Sequence, residues 1–75
     1  MKKIKDFIKE DKLKINYIDN KLNIVNYDDI VLLTDEKIIV LKDNKTIVIK
    51  GNDLTLLKLL DFEILISGII KTIEL

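Results

Sequence analysis

Residues 46–57 read TIVIKGNDLTLL, an apolar run that a glycine and an Asn-Asp pair interrupt before it resumes. The arrangement recurs in residues 63–75, EILISGIIKTIEL, where a glycine again divides two apolar runs. Runs rich in Ile, Val and Leu favour β-strands, and Gly, Asn and Asp favour turns. Both stretches therefore predict short strands that end at Gly51 and Gly68, where a positive φ would let the backbone turn.

The same pattern extends over residues 13–75, which we interpret as one β-domain. Short apolar runs alternate with Asp, Asn or Gly about every eight residues. This spacing predicts an all-β fold: a small antiparallel meander, folded as a sandwich or a roll, of about seven to eight short strands. Asp43-Asn44 resembles a two-residue hairpin loop, since both residues tolerate positive φ. The predicted structural turn residues are Asn26, Asn44, Gly51 and Gly68.

Two alternatives to the meander stay open from the sequence. Residues 53–66, DLTLLKLLDFEILI, also place leucines at helical spacing, so a helix is the alternative to strands in this segment. A weak 17-residue repeat aligns Ile30, Ile47 and Ile64, as in a β-solenoid with two strands per rung. We prefer a meander of equal hairpins because no strong turn consensus repeats.

Residues 1–12 differ from the rest of the chain. KKIKDFIKED, residues 2–11, places Ile4, Phe7 and Ile8 at helical spacing among lysines and acids. The pattern predicts a short N-terminal amphipathic helix that docks on the domain or frays, because so short a helix is marginal alone. A second interpretation is a peripheral membrane-surface protein, with these apolar side chains inserted and the lysines at the headgroups.

Composition bounds the function further. At 75 residues the chain is one small domain, and domains of this size often need disulfides, metals or self-association. It has no cysteine and no histidine, so disulfides are excluded and a conventional zinc site is improbable. Zero net charge argues against a nucleic-acid partner. Apolar runs of at most four residues and no visible signal peptide predict a soluble, cytoplasmic protein.

Catalytic chemistry is scarce in this sequence. Without cysteine and histidine the usual nucleophile–base pairs are missing, and Ser67 is the only serine. The acid pairs fall at predicted turns, where Asp is expected for backbone reasons; they are Asp28 with Asp29, Asp35 with Glu36, and Asp61 with Glu63. No phosphate-binding glycine loop or calcium loop occurs. We therefore expect a protein that is not an enzyme, with no cofactor, no metal and no small-molecule substrate.

Several strands carry apolar residues on both faces. In residues 38–41, IIVL, Ile39 and Leu41 face opposite to their apolar neighbours. A chain this short cannot wrap a whole sheet on both sides, so we expect a partner to cover the surplus. The competing interpretation is a tightly curled roll that buries its own apolar residues. The predicted interaction face is Ile39, Leu41, Val48 and Leu65.

A third functional interpretation, a barrel that binds a ligand or an oligonucleotide, is disfavoured. Such barrels present aromatic side chains beside a basic groove. This chain has two tyrosines and two phenylalanines, scattered along its length.

Residues 22–75 resemble the YabP/YqfC family of sporulation proteins from endospore-forming Firmicutes. The resemblance lies in LNIVNYDDIVLLTD (22–35), IIVLKDNKTIVIKGNDLTL (38–56) and FEILISGIIKTIEL (62–75), with Asn26, Gly51 and Gly68 at matching positions. The short charged N-terminal segment is closer to the YqfC-like branch. The chain departs from the family pattern at two places. Family members usually have a glycine just before the strand that begins here at Lys45, and a glycine near the first turn, where this chain has Asp19.

This resemblance implies a non-enzymatic protein made during spore formation. It implies a structural or interaction module at the forespore envelope, on the mother-cell side, held there by a membrane-bound sporulation protein. Self-association into a homo-oligomer is the other expected contact. The family has no known catalytic residues to transfer.

Overall fold

The computed structural model of the chain describes residues 12–75. They form six β-strands: β1 Lys14–Ile18, β2 Lys21–Val25, β3 Asp29–Leu33, β4 Lys37–Lys42, β5 Lys45–Leu59 and β6 Glu63–Glu74. All six belong to one open sheet with the strand order β1-β2-β6-β5-β4-β3, and every neighbouring pair is antiparallel. The all-β antiparallel prediction is therefore confirmed. The predicted N-terminal helix lies outside the described residues.

The strand count is lower than predicted because four of the expected short strands merge into two long ones. β5 has 15 residues and β6 has 12, and each runs through its glycine without interruption. Residues 53–66, where a helix was the alternative, lie in these strands and in the turn between them. The solenoid alternative is wrong, because stacked rungs would pair in parallel and every pairing here is antiparallel.

Gly51 and Gly68 lie within strands, at positions where the β5–β6 pairing shifts register. A Cβ on Gly51 would overlap the carbonyl oxygen of Ile69, so the residue is required by close backbone approach. The prediction of a positive φ is wrong for Gly51 and right for Gly68, whose φ is 136°. Both glycines mark register shifts in continuous strands, where glycine is common inside a sheet.

The other predicted turn residues have left-handed backbone. Asp43 and Asn44 have φ of 53° and 64°, and they connect β4 to β5 as a two-residue hairpin loop. This prediction is confirmed. Asn26 has φ 70° and follows β2. Asn tolerates this conformation better than most residues, because its short side chain can hydrogen-bond locally.

One core holds the sheet together. β2 and β4 are separated in the sheet by β6 and β5, yet their inward side chains share this core, so the sheet must curl over it. The register shifts at Gly51 and Gly68 increase the local twist of the hairpin, which favours this curling. The buried side chains are Leu22, Ile24, Tyr27, Ile38, Val40, Ile47, Ile49, Leu54, Ile64 and Ile66.

Candidate interaction surface

β4 and β5 carry apolar residues on both faces, as the sequence predicts. Ile38 and Val40 point into the core and are fully buried, whereas Ile39 and Leu41 point outward and are half-buried. Alternating side chains of one strand face opposite sides of the sheet, so burying the first pair leaves the second pair outside. The curled sheet therefore buries one apolar face and leaves part of the other in contact with solvent.

The outward face contains a continuous apolar cluster. Ile39 is the cross-strand partner of Val48 on one side and of Leu32 on the other, and Leu41 follows along β4. The register shift between Ile30 and Leu32 brings Leu32 onto this face beside Val31, which is 57% exposed. Cross-strand partners lie about 5 Å apart on the same face, so these side chains adjoin. We name this cluster the outer patch: Val31, Leu32, Ile39, Leu41 and Val48.

Leu65, the fourth predicted interface residue, does not belong to the outer patch. Its cross-strand partners are Asn23 on β2 and Lys58 on β5. Leu65 is thus a half-buried leucine between polar neighbours, on a different part of the sheet. The structure brings together Ile39, Leu41 and Val48 from the predicted set. It adds Val31 and Leu32, which the sequence did not place on the outward face, because the register shift in β3 was not visible in it.

Lysines border one end of the outer patch. Lys37 and Lys50 are cross-strand partners next to Ile39 and Val48, and the Lys50 Nζ lies 3.4 Å from Glu74 Oε2. A shallow depression of about 650 Å³ adjoins them; its lining includes Leu32, Glu36 and Lys71. The patch is therefore apolar in the middle, and at this end three lysines stand against two glutamates, one of which pairs with Lys50.

A second exposed apolar surface lies at the turn between β5 and β6. Leu59, Leu60 and Phe62 are 58%, 51% and 66% exposed. With half-buried Val25, they line a depression of about 480 Å³. We name this group the hairpin end. Sequence reasoning missed it, although the pair Asp61-Phe62 offered a signal, because a phenylalanine is unusual in a turn.

Acidic groups surround Tyr27 beside the hairpin end. The Tyr27 hydroxyl donates a hydrogen bond to the Leu60 carbonyl oxygen over 3.3 Å. Burial raises the pKa of this phenol above its usual value, and the negative charges of Asp61 and Asp29 raise it further. The neutral, hydrogen-bonded phenol is therefore the form that the fold stabilises.

Three members of the acid pairs, Asp28, Asp29 and Glu63, accept hydrogen bonds from other residues. Asp28 Oδ2 accepts a hydrogen bond from the backbone N–H of Asp43 over 2.8 Å, and Asp29 accepts one from Ile30. Glu63 accepts one from the Asn23 amide over 2.8 Å. Within residues 12–75, no three Asp or Glu side chains lie close enough to hold a metal ion. In the same range no polar or charged side chain is buried.

Comparisons with known proteins add no relative: no family model, no curated protein and no solved structure matches the chain. Over residues 12–75 the structure contains no helix that could cross a membrane. The geometry of the two apolar surfaces is therefore the principal structural evidence on function.

Proposed function

We propose that this chain is a non-enzymatic protein–protein interaction module that works through its outer patch. The observation that supports the proposal is the row Leu32–Ile39–Val48, three aliphatic side chains paired across neighbouring strands on the face away from the core. Contiguous exposed apolar surface of this kind marks interaction sites in soluble domains. A second copy of the chain, or a membrane-bound protein, would cover it.

The surroundings of the patch indicate the chemistry of the partner. Specific interfaces bury about 800 Å² per partner, so the contact must extend beyond five aliphatic side chains. The shallow depression beside the patch is lined by Lys37, Lys50 and Lys71, among other residues. A partner with an apolar centre and carboxylates at one side would match both parts of the surface.

We also propose that the module acts in spore formation, on the mother-cell side of the forespore envelope. The support is the resemblance of residues 22–75 to the YabP/YqfC family. Removing the gene from its host and counting heat-resistant spores tests this role. A normal count in the deletion strain would contradict it.

A charge-insertion pair tests the outer patch itself. We expect Ile39→Lys to keep the native circular dichroism spectrum, because the side chain already points outward. We expect the same variant to lose self-association in size-exclusion chromatography with light scattering. Leu65→Lys is the matched control, because it places the same charge at a half-buried outward position outside the patch.

The outcomes separate the possibilities. A discrete wild-type oligomer that Ile39→Lys dissociates and Leu65→Lys retains would support self-association through the patch. An oligomer that both variants retain would contradict it. A wild-type monomer at all concentrations would rule out the second copy as partner. If Ile39→Lys simply unfolds the domain, the residue belongs to the core and the proposal fails.

A further inference from the structure

The hairpin end is an apolar surface separate from the outer patch. Its 480 Å³ depression adjoins a smaller one of about 230 Å³, and Phe62 lines both. Three carboxylates line the two depressions, against the single lysine Lys42. They belong to Asp28, Asp61 and Glu63. The surface thus suits a segment that is apolar on one side and cationic around it.

The described part of the chain begins beside this surface. The Asn26 side-chain amide donates a hydrogen bond to the Lys12 carbonyl oxygen over 2.9 Å. The backbone N–H of the same asparagine donates to the Phe62 carbonyl oxygen over 2.7 Å. One residue therefore joins Lys12, the first described residue, to the β5–β6 turn at Phe62.

Those residues have the composition that the surface requires. Residues 2–9, KKIKDFIK, carry four lysines against one aspartate, with Ile4, Phe7 and Ile8 as their apolar side chains. Eight residues span about 12 Å as a helix and about 27 Å when extended, which is enough to cover the hairpin end from Lys12. A short tether also gives a segment an effective concentration in the millimolar range, so the same chain has an advantage over a second copy.

We propose that residues 2–9 dock on the hairpin end of their own chain. The apolar side chains of the segment cover Leu59, Leu60 and Phe62, and its lysines lie near Asp61 and Glu63. Burial of these three exposed side chains removes apolar surface from water and so favours the docked state. The inference uses a different surface from the proposed function, so either can fail without the other.

Paramagnetic labelling of the full chain tests this docking. The protein has no cysteine, so Asp6→Cys provides a unique site for a nitroxide and leaves Ile4, Phe7 and Ile8 intact. We expect the amide signals of residues 59–63 to lose most of their intensity, and those of the β3–β4 loop to keep theirs. In a second sample, nitroxide-labelled chains at natural isotopic abundance are mixed with ¹⁵N-enriched chains that carry no nitroxide. There we expect the amide signals of residues 59–63 to keep their intensity.

A matched pair of substitutions shows whether the hairpin end is the docking site. Phe62→Lys should restore the signals of its neighbours, because it removes the most exposed apolar group of the site. Ile18→Lys should not, although Ile18 is 68% exposed, because it lies at the end of β1 remote from Val25. Both changes are at exposed positions, and a native-like ¹⁵N spectrum verifies the fold of each.

Three results would overturn the proposal. Signal loss in the mixed sample would assign the segment to a second copy. Full intensity at residues 59–63 in the labelled chain would show that no docking occurs. Full intensity in solution together with binding to phosphatidylglycerol vesicles would assign the segment to a lipid surface.

Discussion

The two halves of the β5–β6 hairpin are similarly apolar, yet they differ in what surrounds them. In the first half of β5, residues 45–50, the strand lies between β4 and β6, and Ile47 and Ile49 are buried. In the second half, residues 55–59 pair with β6 alone among the described strands. There Leu56, Leu57 and Leu59 are 37–58% exposed. The same composition thus becomes core in one half and surface in the other.

This difference shows that strand neighbours, more than composition, decide which apolar residues the fold uses. In the first half of β5 the inward side chains pack in the core, whereas in the second half, which has β6 as its one partner among the described strands, the leucines stay exposed. Exposed apolar edges promote unwanted pairing, and natural sheets protect them with charges and bulges. The second half of β5 has both devices, since Lys58 interrupts the leucines and a register shift lies between Leu56 and Lys58. These two devices protect the exposed leucines from pairing with another strand edge.

The largest effect should come from truncating a side chain in each half. Ile49→Ala removes a fully buried side chain, so we expect the free energy of unfolding to fall by about 2–5 kcal/mol. Leu57→Ala removes a side chain that is 48% exposed and lies outside the hairpin end, and we expect a change within about 0.5 kcal/mol. Urea denaturation of both variants measures the difference. Equal losses would show that the second half is also core.

The next largest effect should come from the boundary between the halves. A Cβ on Gly51 meets the backbone of Ile69, which no rotamer change relieves. We expect Gly51→Ala to destabilise the domain by about 1–3 kcal/mol, the usual range for overpacking. The midpoints of urea denaturation measure this change. Asn52→Ala is the control, because it alters the exposed neighbouring position. A Gly51→Ala variant as stable as the wild type would mean that the two strands separate easily at this bend.

The boundary also shows how far the sequence predicts the fold. Alternating apolar runs were enough to predict antiparallel β-structure, and Asp43-Asn44 was enough to predict its hairpin loop. The role of Gly51 was not predictable, because local sequence does not distinguish a glycine with positive φ from one that a facing strand approaches closely. That distinction depends on the β5–β6 pairing, a contact between residues distant along the chain.

The candidate surfaces were predictable to different degrees. Ile39, Leu41 and Val48 could be assigned to one face because strand periodicity fixes their direction. Leu65 also follows that periodicity, but its neighbours Asn23 and Lys58 come from strands whose order the sequence does not reveal. The hairpin end depends on the same missing information, since the second half of β5 has β6 as its one partner among the described strands.

A smaller effect should come from Tyr17, which contacts the free edge of the first half of the hairpin. Its hydroxyl donates to the Gly68 carbonyl oxygen over 3.1 Å and accepts from the Ile70 N–H over 3.4 Å. We expect Tyr17→Phe to cost about 1 kcal/mol, the net value of a typical hydrogen bond. Hydrogen exchange should accelerate at Ile70 more than at residues 64–66, which β2 covers. Uniform acceleration would contradict a local role for this contact.

The smallest effect should be a pH dependence from Tyr27, which contacts the second half of the hairpin. The folded state raises the pKa of this phenol, chiefly through burial, so the unfolded chain ionises first. The stabilisation is therefore complete below about pH 10 and decreases as the pH rises through the folded-state pKa. We expect Tyr27→Phe to be less stable than the wild type by about 1 kcal/mol at pH 8, because it loses the bond to Leu60. This difference should shrink above pH 10.

Lysine deprotonation affects both proteins in the same range, so it cancels in the difference between their urea midpoints. A constant difference from pH 8 to pH 11 would mean that the phenol ionises equally easily in the folded and unfolded chain, and that the acidic surroundings of the hairpin end do not act on it.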